Sequence, residues 1–212
     1  MEKLETIVEE IRAEFEAKSA VRDTALQRSR ILIRHCANAI RAAHRSDFAE
    51  AENLLATAQE AAREMVTDLE PYPDLYHAGY TRDALKEYVE AQMVYVFIKN
   101  GELPTPAELG VEPSAYLKGL AEAASELRRH SLDLMRQNEL QRAEVMLGIM
   151  DDVYSQLMTV DFPDAITGGL RRTTDMLRGV VQRTRGDLTT AFRQDMMRQA
   201  LEEFEVRIGM ET

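Results

Sequence analysis

Apolar side chains lie along one side of several segments of this chain. Between residues 117 and 127 they form a stripe with the spacing of an α-helix, namely Leu117, Leu120, Ala121, Ala124 and Leu127. No segment shows the strict alternation of β-branched and polar residues that is typical of a strand. The pattern therefore predicts an all-α fold.

The six prolines fall in three short stretches, and these stretches mark the breaks between elements. The intervening segments are rich in Ala, Leu, Glu, Arg, Met and Gln, which are strong helix formers. Residues 1–212 are predicted to form a single domain, a helical bundle with one core. Long helices are predicted over 3–45, 47–68, 75–99, 114–136, 139–159 and 164–207.

Local signals refine these boundaries. The Thr105–Pro106 pair predicts a short helical turn with proline in its first position. Asp47 and Asp161 are predicted to cap the N-termini of the helices that follow them. The first and last long helices are the candidates for a break, and the last would break near Gly168–Gly169 or Gly186.

Composition excludes several classes of protein. The single cysteine, Cys36, rules out an internal disulfide and suits a reducing compartment. The acidic segment MEKLETIVEE is unlike a secretory signal peptide, and no apolar run approaches the length of a membrane span. We therefore expect a cytoplasmic protein without a membrane partner.

The formal net charge of −11 argues against simple nucleic-acid binding, but the charge is uneven. Residues 12–45 and 171–198 carry far more basic than acidic residues, and only five of the 26 basic residues are lysine. Arginine binds phosphate in a bidentate manner, so these segments could contact RNA. Alternatively, the arginines form salt bridges along solvated helix faces.

Carboxylates are the remaining candidates for chemistry, since the chain lacks a glycine-rich phosphate loop, HExxH and CxxC, and its histidines share no ligand spacing. In KEYVEAQMVYVFI, Glu87 and Glu90 lie three residues apart and share a helix face. Glu122 and Glu126 lie four apart on the next long helix, where the small Gly119 would permit a close approach. If the pairs face each other, they suit a hard cation such as Mg²⁺ or Mn²⁺. The alternative is two ordinary solvated helix faces.

Several blocks of the sequence resemble the translin superfamily, and in particular its TRAX-like branch. ALKEYVEAQMVYVFIKNGEL (84–103) resembles the branch's EYVEA core with its HFIK-like end. AYLKGLAEAASELRRHSLDLM (115–135) is similar to its DYLxGVxxLxxEL segment, and LRRTTDMLRGVVQRT (170–184) to its C-terminal helix. The SR of LQRSRILIRH (26–35) is similar to the first helix of the family. The resemblance covers nearly the whole chain.

The resemblance implies a seven-helix, translin/TRAX-like domain over residues 1–212 and a Mg²⁺-dependent endoribonuclease, with Mn²⁺ as a possible substitute. The implied substrate is single-stranded RNA, with single-stranded DNA as an alternative, in RNA processing of the RISC-activating type. The implied assembly is a homo-oligomer forming an octamer-like closed shell. The family's catalytic and metal-binding carboxylates fall on Glu87, Glu90, Glu122 and Glu126. Position 122 departs from the family pattern, because it is Glu instead of Asp.

Arginines near these carboxylates are predicted to hold the RNA backbone. Arg128, Arg129 and His130 follow the second pair, and Arg129 could instead pair with a carboxylate of its own helix. Arg171, Arg172 and Arg178 are predicted to line an RNA groove, with a subunit contact as the alternative. The competing functions are a translin-like nucleic-acid-binding scaffold without catalysis and an unrelated helical adaptor.

Overall fold

A computed structural model describes residues 1–209 of the protein, and these residues form helices joined by short connections. Six helices are long and three are single turns. In chain order they are α1 (Glu2–His44), α2 (Phe48–Leu69), α3 (Pro73–Tyr76), α4 (Gly79–Lys99), α5 (Pro106–Leu109), α6 (Pro113–Arg136), α7 (Leu140–Leu157), α8 (Asp164–Thr167) and α9 (Leu170–Arg207). The all-α prediction is confirmed, as are the six long helices and the turn after Thr105.

Side-chain caps define the starts of α2 and α5. The Asp47 carboxylate accepts a hydrogen bond from the Glu50 backbone N–H, as predicted. Thr105 and Glu108 cap α5 reciprocally. The predicted cap at Asp161 is wrong, because the next helical turn begins only at Asp164, after Pro163. The last long helix begins at Leu170, after Gly168 and Gly169 adopt φ angles of 63° and 85°.

Two predicted helix starts are too early. The helix predicted from residue 75 begins at Gly79, because residues 73–76 form the separate turn α3. Residues 164–167 form the separate turn α8 ahead of α9, so the break predicted near Gly168–Gly169 is confirmed. Gly186, the alternative break, lies inside α9, and α1 runs unbroken over its full length.

Helix α6 occupies the centre of the bundle. It packs against α4 on one side and against α7 and α9 on others, while α1 packs against α2 and α4. Glu112, directly before α6, lies 3.8 Å from His77, which lies just before α4. Further along both helices, Glu122 of α6 contacts Lys86 of α4. Helices α4 and α6 therefore run in the same direction, and residues 100–112 return the chain between them.

A large hydrophobic core joins the long helices, and a small second cluster of alanines lies between α1 and α2. The largest fully buried side chains of the large core include Tyr88, Met65, Met93 and Leu127. Cys36 of α1 lies in this core with its thiol fully buried. The core therefore fixes α1, α4 and α6 against one another.

Both terminal helices extend past the bundle with exposed apolar side chains. The first part of α1 lies beyond the Lys18–Asp74 ion pair, and the last part of α9 lies beyond Asp195, at the opposite end. The exposed apolar residues are Leu4, Ile7, Val8, Ile11 and Phe15 in α1 and Met196, Met197, Leu201, Phe204 and Val206 in α9. Among residues 1–209, no helix has both the length and the apolar character to cross a membrane.

Candidate functional site

Three half-buried carboxylates converge between α4 and α6. Glu87, Glu90 and Glu122 each offer one oxygen, and these oxygens lie within 4.8 Å of one another. The first two come from adjacent turns of α4 and the third from the facing side of α6. The two carboxylate faces that the sequence singled out thus oppose each other, and three of the four side chains meet.

A close helix approach brings these carboxylates together. Gly119 lies one turn before Glu122 and packs against α4. A Cβ atom at this glycine would lie 2.6 Å from Val89 Cβ and 2.7 Å from the Lys86 carbonyl oxygen. Only glycine fits so tight a crossing without displacing α4. The small residue noted in the sequence therefore has a specific role in placing Glu122 beside Glu87.

Lys86 contributes a cation to the carboxylate cluster. Its ammonium donates to Glu122 at 2.5 Å and lies 3.1 Å from Glu87. Burial lowers the pKa of Lys86, but the hydrogen bond and charge of Glu122, together with Glu87, outweigh burial and leave that pKa raised. The ammonium thus stays charged and neutralises part of the cluster.

Glu90 is the carboxyl group with the most perturbed ionisation. Burial, followed by the charges of Glu87 and Glu122, raises its pKa from 4.5 to about 8. Burial and the charges of Glu87 and Glu90 likewise raise the pKa of the Cys36 thiol. Glu90 therefore carries a proton at neutral pH in the ion-free protein, and Cys36 is not a reactive thiolate.

Glu126 has a different set of partners. Its Oε1 atom lies 2.9 Å from Nε2 of His44, which is almost completely buried at the end of α1. The same oxygen lies 3.8 Å from Arg129, so the ion pair within α6 that was the alternative role of Arg129 is present. Glu126 is close enough to raise the pKa of Glu90, but it lies outside the group of three.

His130 is buried beside His44, with ring centroids 5.9 Å apart. Burial, followed by the nearby His44 and Arg142, lowers the pKa of His130. The Nδ1 atoms of both histidines are buried and have no hydrogen-bond partner among residues 1–209. His130 is thus a core residue at the back of the site, and the prediction that it reaches an RNA phosphate is not supported by its position.

Known proteins share this fold and up to about a third of the sequence. Two solved structures, a crystal structure of AfC3PO and a complex of AfC3PO with duplex RNA, are 32% and 34% identical to this chain. Their TM-scores are 0.81 and 0.82, and each comparison covers 89% of this chain and 98% of the other. C3PO subunits are translin-family proteins.

The chain belongs to the translin superfamily. An uncharacterised protein, MJ0175 of Methanocaldococcus jannaschii, is 31% identical over 196 residues, which are 92% of this chain and 86% of that protein. The crystal structure of apo-NeC3PO has a TM-score of 0.79 at 22% identity, over 87% of this chain and 96% of that one, and it supports the fold alone. No family model matches the sequence.

The arginines of this translin-superfamily chain fall into separate groups. Arg129 is exposed beside Glu126, at the edge of the carboxylate site. Arg128 points to α9, where it contacts Asp187 at 2.7 Å and Thr184 at 3.2 Å. Arg128 therefore joins α6 to α9, which leaves Arg129 as the exposed arginine of α6 that contacts Glu126.

Arg171 and Arg178 line a cavity of about 840 Å³ between the 157–167 segment and α9. Acidic residues share this cavity, namely Asp161, Asp164 and Asp175, and Asp175 lies 3.7 Å from Arg178. Arg172 is exposed on the neighbouring position of α9. None of the glutamates of the carboxylate cluster lines this cavity. The structure thus places these three arginines apart from the cluster, and their contact with RNA stays a prediction.

The residues that sequence reasoning missed are Lys86 and His44. Lys86 directly precedes Glu87, so its place in the same helical turn was visible in the sequence. His44 lies 82 positions before Glu126, and no spacing rule links residues so far apart.

The carboxylate cluster fits a divalent metal ion in its chemistry. Three carboxylate oxygens within 4.8 Å of one another match the all-oxygen preference of Mg²⁺ and Mn²⁺. Burial and then the charges of Glu87 and Glu122 raise the pKa of Glu90, and the opposing charge of Lys86 does not cancel this rise. A divalent cation would supply the missing positive charge.

Proposed function

We propose that this chain is a TRAX-like subunit of a metal-dependent endoribonuclease that cleaves single-stranded RNA. The observation that carries the proposal is the convergence of Glu87, Glu90 and Glu122 from two helices. The similarity to AfC3PO, which has been solved in complex with duplex RNA, supports RNA as the ligand. We also propose a homo-oligomer of the octamer-like closed type, with the carboxylate sites facing an enclosed space.

Glu87, Glu90 and Glu122 would hold the ion, and Glu126 would join them or orient groups around them. Bound Mg²⁺ would acidify a water molecule and stabilise negative charge on the scissile phosphate. The side chains of Glu87 and Glu122 are 30% and 28% exposed, so water and an RNA strand can reach them. The exposed guanidinium of Arg129 would hold a phosphate at the edge of the site.

Glu90 is the candidate for proton transfer. With a pKa of about 8 in the ion-free protein, its carboxyl group exchanges a proton close to neutral pH. Groups with a pKa near the working pH are the most effective general acids and bases. With the ion bound, Glu90 would have lost this proton and would accept one from the attacking water through the oxygen that does not hold the ion, while His44 keeps Glu126 in place.

The test uses purified protein and end-labelled RNA. Cleavage of single-stranded RNA is expected in Mg²⁺ or Mn²⁺ and should stop when a chelator is added. Glu90→Gln and Glu122→Gln should abolish cleavage but retain RNA binding. Glu64→Gln, at an exposed position of α2, is the control and should leave cleavage unchanged. A duplex of the same sequence shows whether strand pairing affects cleavage.

A second candidate is a translin-like scaffold that binds single-stranded nucleic acid without cutting it. The observation that favours it is the Lys86 ammonium, which balances part of the cluster charge without any metal. In that case RNA binds with equal affinity in Mg²⁺, in Mn²⁺ and in chelator, and no cleavage product forms under any of the three conditions.

A further inference from the structure

The ammonium group of Lys86 lies directly among the candidate metal ligands. It contacts two of the three clustered carboxylates, Glu122 at 2.5 Å and Glu87 at 3.1 Å. Only 14% of the Lys86 side chain is exposed, and the ammonium lies between a carboxylate of α4 and a carboxylate of α6. The chain has only five lysines. The other lysine of α4, Lys99, lies outside this cluster and forms an ion pair with Glu52.

We propose that the Lys86 ammonium is a built-in competitor of the metal ion. In the ion-free protein it occupies the carboxylate cluster, and a divalent cation enters by displacing it. This inference rests on the proposed metal site and adds an exchange step to it. Lys86 thereby sets the metal concentration at which the site fills.

The geometry makes the two cations mutually exclusive. A metal ion lies about 2.0–2.1 Å from its carboxylate oxygens, so an ion bound to Glu87 and Glu122 would stand where the Lys86 ammonium now lies. Two positive groups cannot share that position, because their repulsion in a half-buried site is strong. The ammonium must leave before the oxygens can turn to the ion.

The side chain has a route out of the cluster. The lysine stem has four flexible carbons, and the carboxylates beside it are about one-third exposed. A change of side-chain rotamer would therefore move the ammonium to the solvent-facing edge of the site. Neither helix would have to move, which is consistent with the tight contact at Gly119.

The competition has a measurable consequence. A ligand binds with an affinity reduced by the fraction of protein in the competent state, and here that state is the one with Lys86 displaced. Removing the ammonium should raise the apparent affinity for the ion. Replacing the lysine with arginine, which also carries a permanent positive charge, should not raise the affinity for the ion.

The experiment is calorimetric titration of Mn²⁺ alone into metal-free, full-length protein. Lys86→Met keeps the length of the apolar stem and removes the charge, and it should bind Mn²⁺ at least about tenfold more tightly than the unmodified protein. Lys86→Arg keeps the charge and should bind Mn²⁺ no more tightly. Lys86→Gln replaces the methionine variant if circular dichroism shows that the latter is unfolded.

Lys99→Met is the matched control. This substitution removes a lysine from the same helix and changes the net charge by the same amount. It also breaks an ion pair of the same 2.5 Å length, but Lys99 lies outside the carboxylate cluster. Its Mn²⁺ affinity should equal that of the unmodified protein. An equal gain in Lys99→Met and Lys86→Met would overturn the inference, since overall charge would then account for both.

The remaining outcomes separate the inference from the proposed function. If the unmodified protein binds Mn²⁺ and Lys86→Met binds it equally or more weakly, the competitor role is wrong and the metal site stands. If neither the unmodified protein nor Lys86→Met binds Mn²⁺ at millimolar concentration, the metal site is wrong and the competitor role falls with it.

Discussion

At the scale of single residues, Glu90 connects the site to the stability of the fold. Its pKa of about 8 exceeds the ordinary value of 4.5, so between these pH values the folded protein keeps a proton that the unfolded chain has lost. The native state therefore binds more protons in this window, and the contribution of Glu90 to stability falls as the pH rises. Above about pH 8 the full cost of the buried charge is present.

Glu90→Gln should remove this pH dependence. In chelator, we expect the variant and the unmodified protein to have similar free energies of unfolding at pH 4.5. At pH 8.5 the variant should be more stable by on the order of 2–4 kcal/mol, because glutamine cannot ionise. Urea unfolding at a fixed protein concentration measures the difference. A gap between the two proteins that stays constant from pH 4.5 to 8.5 would contradict the assignment.

Spacing rules identify the residues of the site only within one helix. The pairs Glu87/Glu90 and Glu122/Glu126 follow from the 3.6-residue repeat, and three of these four side chains do converge. Which oxygens meet depends on the rotation of one helix against another, and sequence spacing does not contain that information. For this reason the partner of Glu126 on α1, His44, was not predictable.

At the scale of helices, the crossing of α4 and α6 depends on Gly119. A methyl group there would lie 2.6 Å from Val89 Cβ, so Gly119→Ala must push the helices apart. Overpacking of this kind costs about 1–3 kcal/mol, against about 1 kcal/mol gained from alanine's helix propensity. We expect a lower melting temperature and weaker Mn²⁺ binding, because Glu122 moves away from Glu87.

Gly148→Ala provides the control for this substitution. Gly148 lies in α7, and a Cβ atom there would meet no neighbouring atom within 4 Å. Alanine should therefore stabilise the protein by up to about 1 kcal/mol and leave Mn²⁺ binding unchanged. If both glycine variants melt alike, the close approach at Gly119 does not limit the packing.

The exposed arginines at the start of α9 are predicted to contact RNA, and this can be tested separately from cleavage. Changing Arg171, Arg172 and Arg178 together to alanine should weaken binding of single-stranded RNA and flatten its dependence on salt. If all three contact phosphates, the slope of log affinity against log salt should fall by about 2, since each contact contributes about 0.7. Fluorescence anisotropy at several salt concentrations measures the slope.

A triple alanine variant at Arg63, Arg136 and Arg207 removes the same charge from exposed positions that pair with neighbours on their own helices. Its slope should match that of the unmodified protein. An unchanged slope in the α9 variant would mean that these arginines do not contact phosphates, and that Arg171 and Arg178 serve the cavity they share with Asp161, Asp164 and Asp175.

Helix boundaries were predictable to within a few residues where a cap or a proline defines them. Asp47 and Pro106 gave correct starts, because their effect on the backbone is local. Residues 75–78 were misassigned to a long helix, because a single turn of helix and a continuous helix have the same local composition. The break predicted near Gly168–Gly169 is present, after the single turn over residues 164–167. Both glycines have left-handed φ angles, which separate the turn α8 from the long helix α9.

At the scale of the whole molecule, the apolar ends of α1 and α9 suit an assembly of several copies. Ile11 and Phe15 are 45% and 66% exposed on a helix that has left the bundle. Apolar side chains arranged along one helix face are typical of an interface. Multi-angle light scattering should give a mass that is a multiple of the chain mass at micromolar concentration, and Ile11→Asp with Phe15→Asp should reduce it.

Val145→Asp changes a single exposed apolar residue of α7 in the same way and is the comparison for the assembly test. We expect it to keep the mass of the unmodified protein. A stable monomer in the unmodified protein would exclude the closed shell, and it would leave the carboxylate site open to bulk solvent.

The burial of Cys36 gives this protein a natural reporter of local opening. The thiol is the only one in the chain, and it lies fully buried in the core beside the helix that carries Glu87 and Glu90. A thiol reagent can react with it only when α1 separates from α4 or the whole chain unfolds. The labelling rate under native conditions thus measures how often the wall of the site opens, without any added probe. A cation that binds the closed site should slow that rate in proportion to its occupancy.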